Sequence, residues 1–254
     1  MPRLPLVSLH DLPAALGLLT RLPVPVDGDR AMARGAAAAW AYPLAGALIG
    51  ALAGTVWASA TGLGLPPPIA AGLAVAALVI ATGALHEDGL ADTADGLWGG
   101  WTRDRRLEIM RDSRVGSYGV VALVLSLGLR AGALASLSPD MALPALIVGG
   151  AASRAAMVAL WSVVPPARRD GLSVRTGQPG RATAGLALAL GTGIAVLVLG
   201  PLGTIAGACS LGGAALVGAV AWAKIGGQTG DILGAAQQLA EIAALLAVVA
   251  LLAA

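Results

Sequence analysis

Apolar blocks about 20 residues long recur along the whole chain, and about 20 residues of α-helix cross the hydrocarbon core of a bilayer. Seven blocks can be delimited, at about 40–62, 66–86, 117–138, 142–164, 183–200, 202–223 and 232–254. Inside a bilayer the backbone has no water to bond, so such segments fold as helices. The expected fold is therefore all-α: a polytopic membrane bundle of about seven transmembrane helices, forming one domain over residues 1–254. Residues 1–39 are expected to lie along the inner surface as short interfacial helices and turns.

Composition excludes the soluble alternative. Charged residues make up 12% of the chain, about half the share in soluble domains, and mean hydropathy is +0.82. The N-terminal stretch MPRLPLVSLHDLPAALGLLTRLPVP is interrupted by His10, Asp11 and Pro13, so it does not read as a cleaved signal. The single cysteine, Cys209, lies in an apolar run and reads as a buried packing residue. Phe is absent while Gly is abundant, which lets helices approach through small faces.

Basic residues set the orientation. Of 16 Lys and Arg, 14 fall in the N-terminal segment or in 87–116, 165–182 and 224–231; Arg130 and Arg154 lie within spans. With seven spans those four regions emerge on one face, which the positive-inside rule makes cytoplasmic. Trp40, Trp161 and Trp222 are expected at the same boundary as interfacial indoles. The positive excess is topological, and no nucleic-acid partner is expected.

Against this background HEDGLADTADG, residues 86–96, is out of place: it carries Glu87, Asp88, Asp92 and Asp95. If the chain stays helical after the second span, Asp88, Asp92 and Asp95 are spaced i, i+4, i+7 and share one face, while Glu87 points elsewhere. Like charges on one stripe repel, and carboxylates at a membrane boundary are functional by default. A divalent cation relieves both costs, and hard carboxylate oxygens suit Mg²⁺ or Mn²⁺.

Arginines follow. RDRRLEIMRDSRVGSYG, 103–119, supplies Arg103, Arg105, Arg106, Arg111 and Arg114, whose forks match phosphate oxygens. Glu108, Arg111 and Asp112 lie about a helical turn apart, which offers Asp112 to the metal or to an arginine. The loop PPARRDGLSVRTGQPGR brings Arg168, Arg169, Arg175 and Arg181, either as the lining of a large polar ligand or as an ordinary basic loop. In KIGGQTGDILGA, 224–235, Gly226, Gly227 and Gly230 expose backbone N–H groups beside Gln228 and Thr229, an anion-binding arrangement. Asp231 is there either a site carboxylate or a helix N-cap. Deep in the last span Glu241 is expected to pair with Arg154, as intramembrane charges need partners; Arg130 has no partner assignable from sequence.

Acids, arginines and glycine-rich backbone at one membrane edge suit phosphoryl transfer, which requires charge neutralisation and positioning. Acyl transfer needs a nucleophile with a partner base, and His10, His86 and Cys209 offer little for it.

RLPVP (21–25), HEDGLADTADG (86–96), RRLEIMRDSRVGSYG (105–119), SR (153–154) and GGQTGDILGA (226–235) together resemble the cobalamin synthase family, the adenosylcobinamide-GDP ribazoletransferases, in family order over most of the chain. Glu87 departs from the family pattern, which has an apolar residue there. The resemblance implies a Mg²⁺-dependent enzyme of the bacterial inner membrane with its active site facing the cytoplasm. Its substrates would be a corrinoid nucleotide, adenosylcobinamide-GDP, and α-ribazole or its 5′-phosphate; GMP would leave. On the residues above, Asp88, Asp92 and Asp95, with Asp112 and Asp231, would hold metal, and His86 or a free stripe carboxylate would be the base. Arg111, Arg114, Asp112, Gln228, Thr229 and Gly230 would bind substrate. Membrane lipid is the other expected partner, and a homo-oligomer is left open. The alternatives are another aspartate-cluster membrane transferase, of CDP-alcohol phosphotransferase or prenyltransferase type, and a transporter, which usually shows midplane coupling groups and internal repeats not visible here.

Overall fold

A computed structural model describes residues 5–253; residues 1–4 of the N-terminal segment and residue 254 of the last span lie outside the described part. The chain runs α1 (Asp11–Leu19), α2 (Gly28–Arg34), a 3₁₀ segment (Gly35–Ala41), α3 (Tyr42–Gly62), α4 (Pro67–Thr82), α5 (Leu85–Gly99) and α6 (Arg103–Ile109). It continues through α7 (Ser117–Ala135), α8 (Pro139–Val163), α9 (Leu172–Thr176), α10 (Arg181–Leu199), α11 (Pro201–Ile225) and α12 (Gly230–Leu252). Among the described residues the fold is all-α, with one isolated bridge between Pro166 and Gln228.

Among the described residues six helical stretches are long and apolar enough to cross a membrane: Gly28–Gly62, α7, α8, α10, α11 and α12. Helices α4 and α5 make a seventh span only if taken together, and they are bent by 90°. The second apolar block, expected to continue to residue 86, therefore stops at Thr82. Gly83 (φ 63°) and Ala84 (φ 57°) both adopt the left-handed conformation and return their N–H groups to Ile80 and Val79. That closes the helix in a left-handed C-cap and redirects the chain.

Two apolar cores are stacked along the bundle. One gathers Ala15, Tyr42, Leu97, Met157, Trp161 and Ile232; the other gathers Ile49, Trp57, Leu78, Leu134, Leu146 and Leu245. Arg154 and Glu241 fall at their junction on α8 and α12. Small residues set the helix spacing: a Cβ on Gly46 of α3 would lie 2.1 Å from the Gly150 carbonyl oxygen of α8, so the two backbones pack directly. Outward-facing Ile80, Val124, Leu197 and Leu216 remain exposed along the bundle, as lipid-facing side chains must.

The basic regions converge on one end, as the charge pattern requires. Arg21 N–H donates to Ala81 (2.7 Å), Arg103 Nε to the Ile225 carbonyl (3.0 Å), and Gln228 N–H to the Pro165 carbonyl (2.8 Å). The N-terminal segment docks there through buried Asp11, which accepts from Arg34 Nε and Nη2 (2.7 and 2.6 Å) and Trp40 Nε1 (2.6 Å). Two expectations need correcting. Trp161 is buried and stacks on Tyr42, ring centroids 6.4 Å apart, because α3 presents an aromatic partner at that level; it is no boundary indole, whereas Trp222 is exposed. Cys209 is half-buried rather than buried.

Candidate active site

Helix α5 carries the acid stripe. Asp88, Asp92 and Asp95 lie within its single run and pass from exposed through half-buried to buried. The helix crosses the first turns of α12 at a glycine: a Cβ on Gly89 would lie 2.9 Å from the Asp231 carbonyl oxygen. This close crossing brings Asp231 to the stripe. The Asp92 carboxylate feels the negative charges of Asp88, Asp231 and Asp95, with Arg168 as an opposing charge.

Each acid has a different set of partners. Asp95 accepts from the N–H of Gly116 (2.7 Å) and of Gly119 (2.9 Å), so it caps the N-terminus of α7 from a neighbouring helix. Asp231 accepts from the Thr229 hydroxyl (3.0 Å) and from Arg168 Nη2 (3.4 Å). It does not cap α12: Thr229 does, accepting from the Ile232 N–H at 3.3 Å. Asp231 sits one position inside the first turn, free to face the stripe. Asp112 lies beyond the end of α6 and pairs with Arg114 at 2.6 Å; hydrogen bonds from Arg114 hold its carboxyl down to about 2.

Two cavities open along the stripe. Asp88, Asp231, His86 and Arg168 line one of about 160 Å³, whose remaining wall includes Tyr42, Met157, Trp161 and Leu233. Asp95, Asp112, Arg114 and Tyr118 line a second, of about 420 Å³. His86 is buried, and its Nε2 has no hydrogen-bond partner. Among the described residues no three His, Cys, Asp or Glu side chains are gathered closely enough to hold a metal ion by themselves. The donor set nevertheless fits a hard divalent cation: Asp88, Asp92 and Asp231 are mutually repelling oxygen donors on two helices that cross in contact, and such ions take few protein carboxylates and keep waters or phosphate oxygens as further ligands.

Comparison with known proteins gives the family. The profile of the cobalamin-5-phosphate synthase family matches residues 11–249. The chain belongs to that family. It is 50% identical over 240 residues to a protein of Bradyrhizobium diazoefficiens (94% of this chain, 92% of the relative) and 49% identical over 240 residues to one of Mesorhizobium japonicum, with the same shares covered. A relative from Brucella anthropi is 44% identical over 254 residues, covering 95% of this chain and 96% of its own. All three are named adenosylcobinamide-GDP ribazoletransferase. No solved structure matches.

In this cobalamin-5-phosphate synthase family member, a membrane transferase, the structure distributes the sequence-assigned residues unevenly. It brings together His86, Asp88, Asp92, Gly230 and Asp231. Gln228 and Thr229 are fully buried, Gln228 bridging Pro165 and Ala167 through its backbone. The arginines of 103–114 all have protein partners. Arg103 and Arg106 donate to the backbone carbonyls of Ile225 and Lys224 at the end of α11, where cations oppose the helix dipole. Arg105 pairs with Glu108, and Arg111 with Asp170, both on the exposed surface. The expected helical turn linking Glu108 to Asp112 is absent because α6 ends at Ile109.

Two features escaped the sequence. Glu87 turns inward and accepts from Arg130 of α7 at 2.8 Å; Arg130 also approaches Glu241 at 3.5 Å, and Arg154 reaches the same carboxylate at 3.7 Å. Gln237 and Gln238 of α12 complete the network on Glu241 and Glu87. The Arg154–Glu241 pairing was legible from depth alone. The partner of Arg130 was not legible, because Glu87 lies 43 residues away on another helix. The other feature is the aromatic wall of Tyr42 and Trp161 beside His86.

Proposed function

We propose that this protein joins adenosylcobinamide-GDP to α-ribazole, or to its 5′-phosphate, and releases GMP, at a site on the cytoplasmic face of the bacterial inner membrane. The single observation that carries this reading is the convergence of Asp88 and Asp231 on one cavity beside His86, with Asp92 near enough to feel both carboxylates. The relatives named for that reaction share 44–50% of the aligned residues. The clustering of basic segments at the same end supports the cytoplasmic assignment.

Asp88, Asp92 and Asp231 would hold a Mg²⁺ or Mn²⁺ ion, with Asp95 bracing the stripe against α7 and Asp112 at the rim. Such an ion supplies charge neutralisation for the diphosphate. The ribazole 3′-oxygen attacks the phosphorus attached to cobinamide, the bond from that phosphorus to the diphosphate bridge breaks, and GMP leaves with the bridging oxygen. A stripe carboxylate not engaged with metal, or His86, takes the hydroxyl proton: His86 lines the same cavity as Asp88 and its Nε2 is without a partner. Arg111 and Arg114, half or more exposed on Asp170 and Asp112, exchange those carboxylates for phosphate oxygens on the incoming nucleotide. Gly230 leaves the loop backbone open to the substrate, and Thr229 holds Asp231 in place.

Purified protein supplied separately with adenosylcobinamide-GDP, a CDP-alcohol and a prenyl diphosphate tests the assignment. Product is expected from the first donor and α-ribazole alone; transfer from either of the others would replace this function with a rival one.

A further inference from the structure

We propose that the cavity between α3, α5, α8 and α12 seats the heteroaromatic base of the acceptor nucleoside, with Trp161 and His86 reading its two polar points. This assignment rests on the proposed reaction and adds to it where, and by which residues, the acceptor is held.

Size selects a ring system. The cavity holds about 160 Å³, and an apolar cavity of about 150 Å³ is known to take benzene. A whole nucleotide or a corrin is far too large for it. An aromatic base whose sugar emerges at the open side is not.

The walls select an apolar ring. Leu19, Met157 and Leu233 line it together with the stacked pair Tyr42 and Trp161, and the polar part of the lining is Asp88, Asp231 and Arg168 with His86. A guanine carries hydrogen-bonding groups along most of its edge, and burying them unpaired against leucine and methionine is unfavourable. A dimethylbenzimidazole ring offers methyl groups and a single free acceptor nitrogen. The cavity matches that division.

Three buried polar atoms on residues of the lining have no partner in the protein: Trp161 Nε1, on a side chain 4% exposed, His86 Nε2, on one 2% exposed, and Arg168 Nη1, on the arginine that pairs with Asp231. Buried donors and acceptors are almost always satisfied, so these orphans on one cavity point to a ligand: Arg168 Nη1 faces the charged end with Asp231, and Trp161 and His86 are left for the acceptor nucleoside. An indole N–H donates and needs an acceptor, which the free ring nitrogen provides. The ribose hydroxyl meets His86 beside Asp88, at the end of the acid stripe. Base and reacting oxygen are thereby held in one orientation relative to the metal-binding acids.

The test measures α-ribazole by equilibrium binding as well as by turnover. Trp161→Phe keeps the ring and removes the N–H; it is expected to weaken α-ribazole binding about fivefold, the loss of one hydrogen bond, with KM for adenosylcobinamide-GDP unchanged. Met157→Trp fills the cavity and is expected to weaken α-ribazole at least tenfold with the same selectivity; if it fails to fold, the Trp161 variant carries the test. The assignment is overturned if the wild-type protein does not bind α-ribazole, if folded variants bind it as the wild type does, or if the loss falls on the corrinoid nucleotide or GMP instead. If α-ribazole binds selectively as expected while no GMP is released, the assignment stands and the proposed reaction fails.

Discussion

Arg130 of α7 donates to Glu87 of α5 at 2.8 Å, one residue from the first acid of the stripe, in surroundings where neither side chain exceeds 7% exposure. With Arg154 and Glu241 the pair makes a neutral set of two cations and two anions joining α5, α7, α8 and α12. Charges at this depth persist only when paired, so the set fixes how α5 is rotated and where its carboxylates point.

Glu87→Leu is therefore expected to destabilise the protein by about 3–5 kcal/mol, because two arginines are left against one carboxylate. Thermal unfolding in detergent or nanodiscs measures it. The double variant Glu87→Leu with Arg130→Leu should recover most of the loss, since the remaining Arg154–Glu241 pair is again balanced. No recovery would mean that the pair acts independently of the charge balance.

Asp92→Asn and Asp95→Asn should part company. Asp92 lies amid three other carboxylates, so removing its charge relieves repulsion: turnover is lost while the unfolding temperature holds or rises. Asp95 accepts two backbone N–H bonds from α7, and asparagine turns an amide N–H toward one of those donors. Its variant should lose about 1–3 kcal/mol of stability, read as a lowered unfolding temperature. Identical behaviour of the two would remove the distinction between a ligand and a brace.

Docking of the N-terminal segment should depend on acid pH. Burial pushes the Asp11 carboxyl up, but hydrogen bonds from Arg34, Trp40 and the Ser8 N–H together outweigh it, and the group titrates below its ordinary 3.8. A depressed carboxyl contributes stability that is fully present above its unfolded value and is lost as pH falls through the folded one. Hydrogen exchange in α1 and α2 should be pH-independent above about 5 beyond its intrinsic rate and accelerate below about 4; Asp11→Asn should expose those amides at every pH.

The spans were readable because bilayer thickness imposes a length on each apolar run, and the stripe because helical period fixes which residues share a face. The 90° bend was not, since a left-handed Ala84 leaves no mark in composition. Sequence left Asp231 either a cap or a site carboxylate; Thr229, two residues before it, takes the cap and Asp231 lines the cavity. Among the arginines of 103–114, sequence shows the charge and hides the partners: carbonyls at the end of α11 for Arg103 and Arg106, exposed carboxylates for Arg111 and Arg114. Contacts such as Glu87 to Arg130 join residues 43 apart, and no local pattern announces them.

The central claim is that Asp88, Asp92 and Asp231 act together through a divalent cation on a diphosphate. It is tested most directly by titrating Mg²⁺ into metal-stripped protein with adenosylcobinamide-GDP and α-ribazole, and following GMP, for the wild type and for Asp92→Asn. GMP release by the wild type should rise from zero with added Mg²⁺ and should stay absent in the folded Asp92→Asn protein. Release that persists under chelator, or an Asp92→Asn protein that turns over at the wild-type rate, would contradict the account.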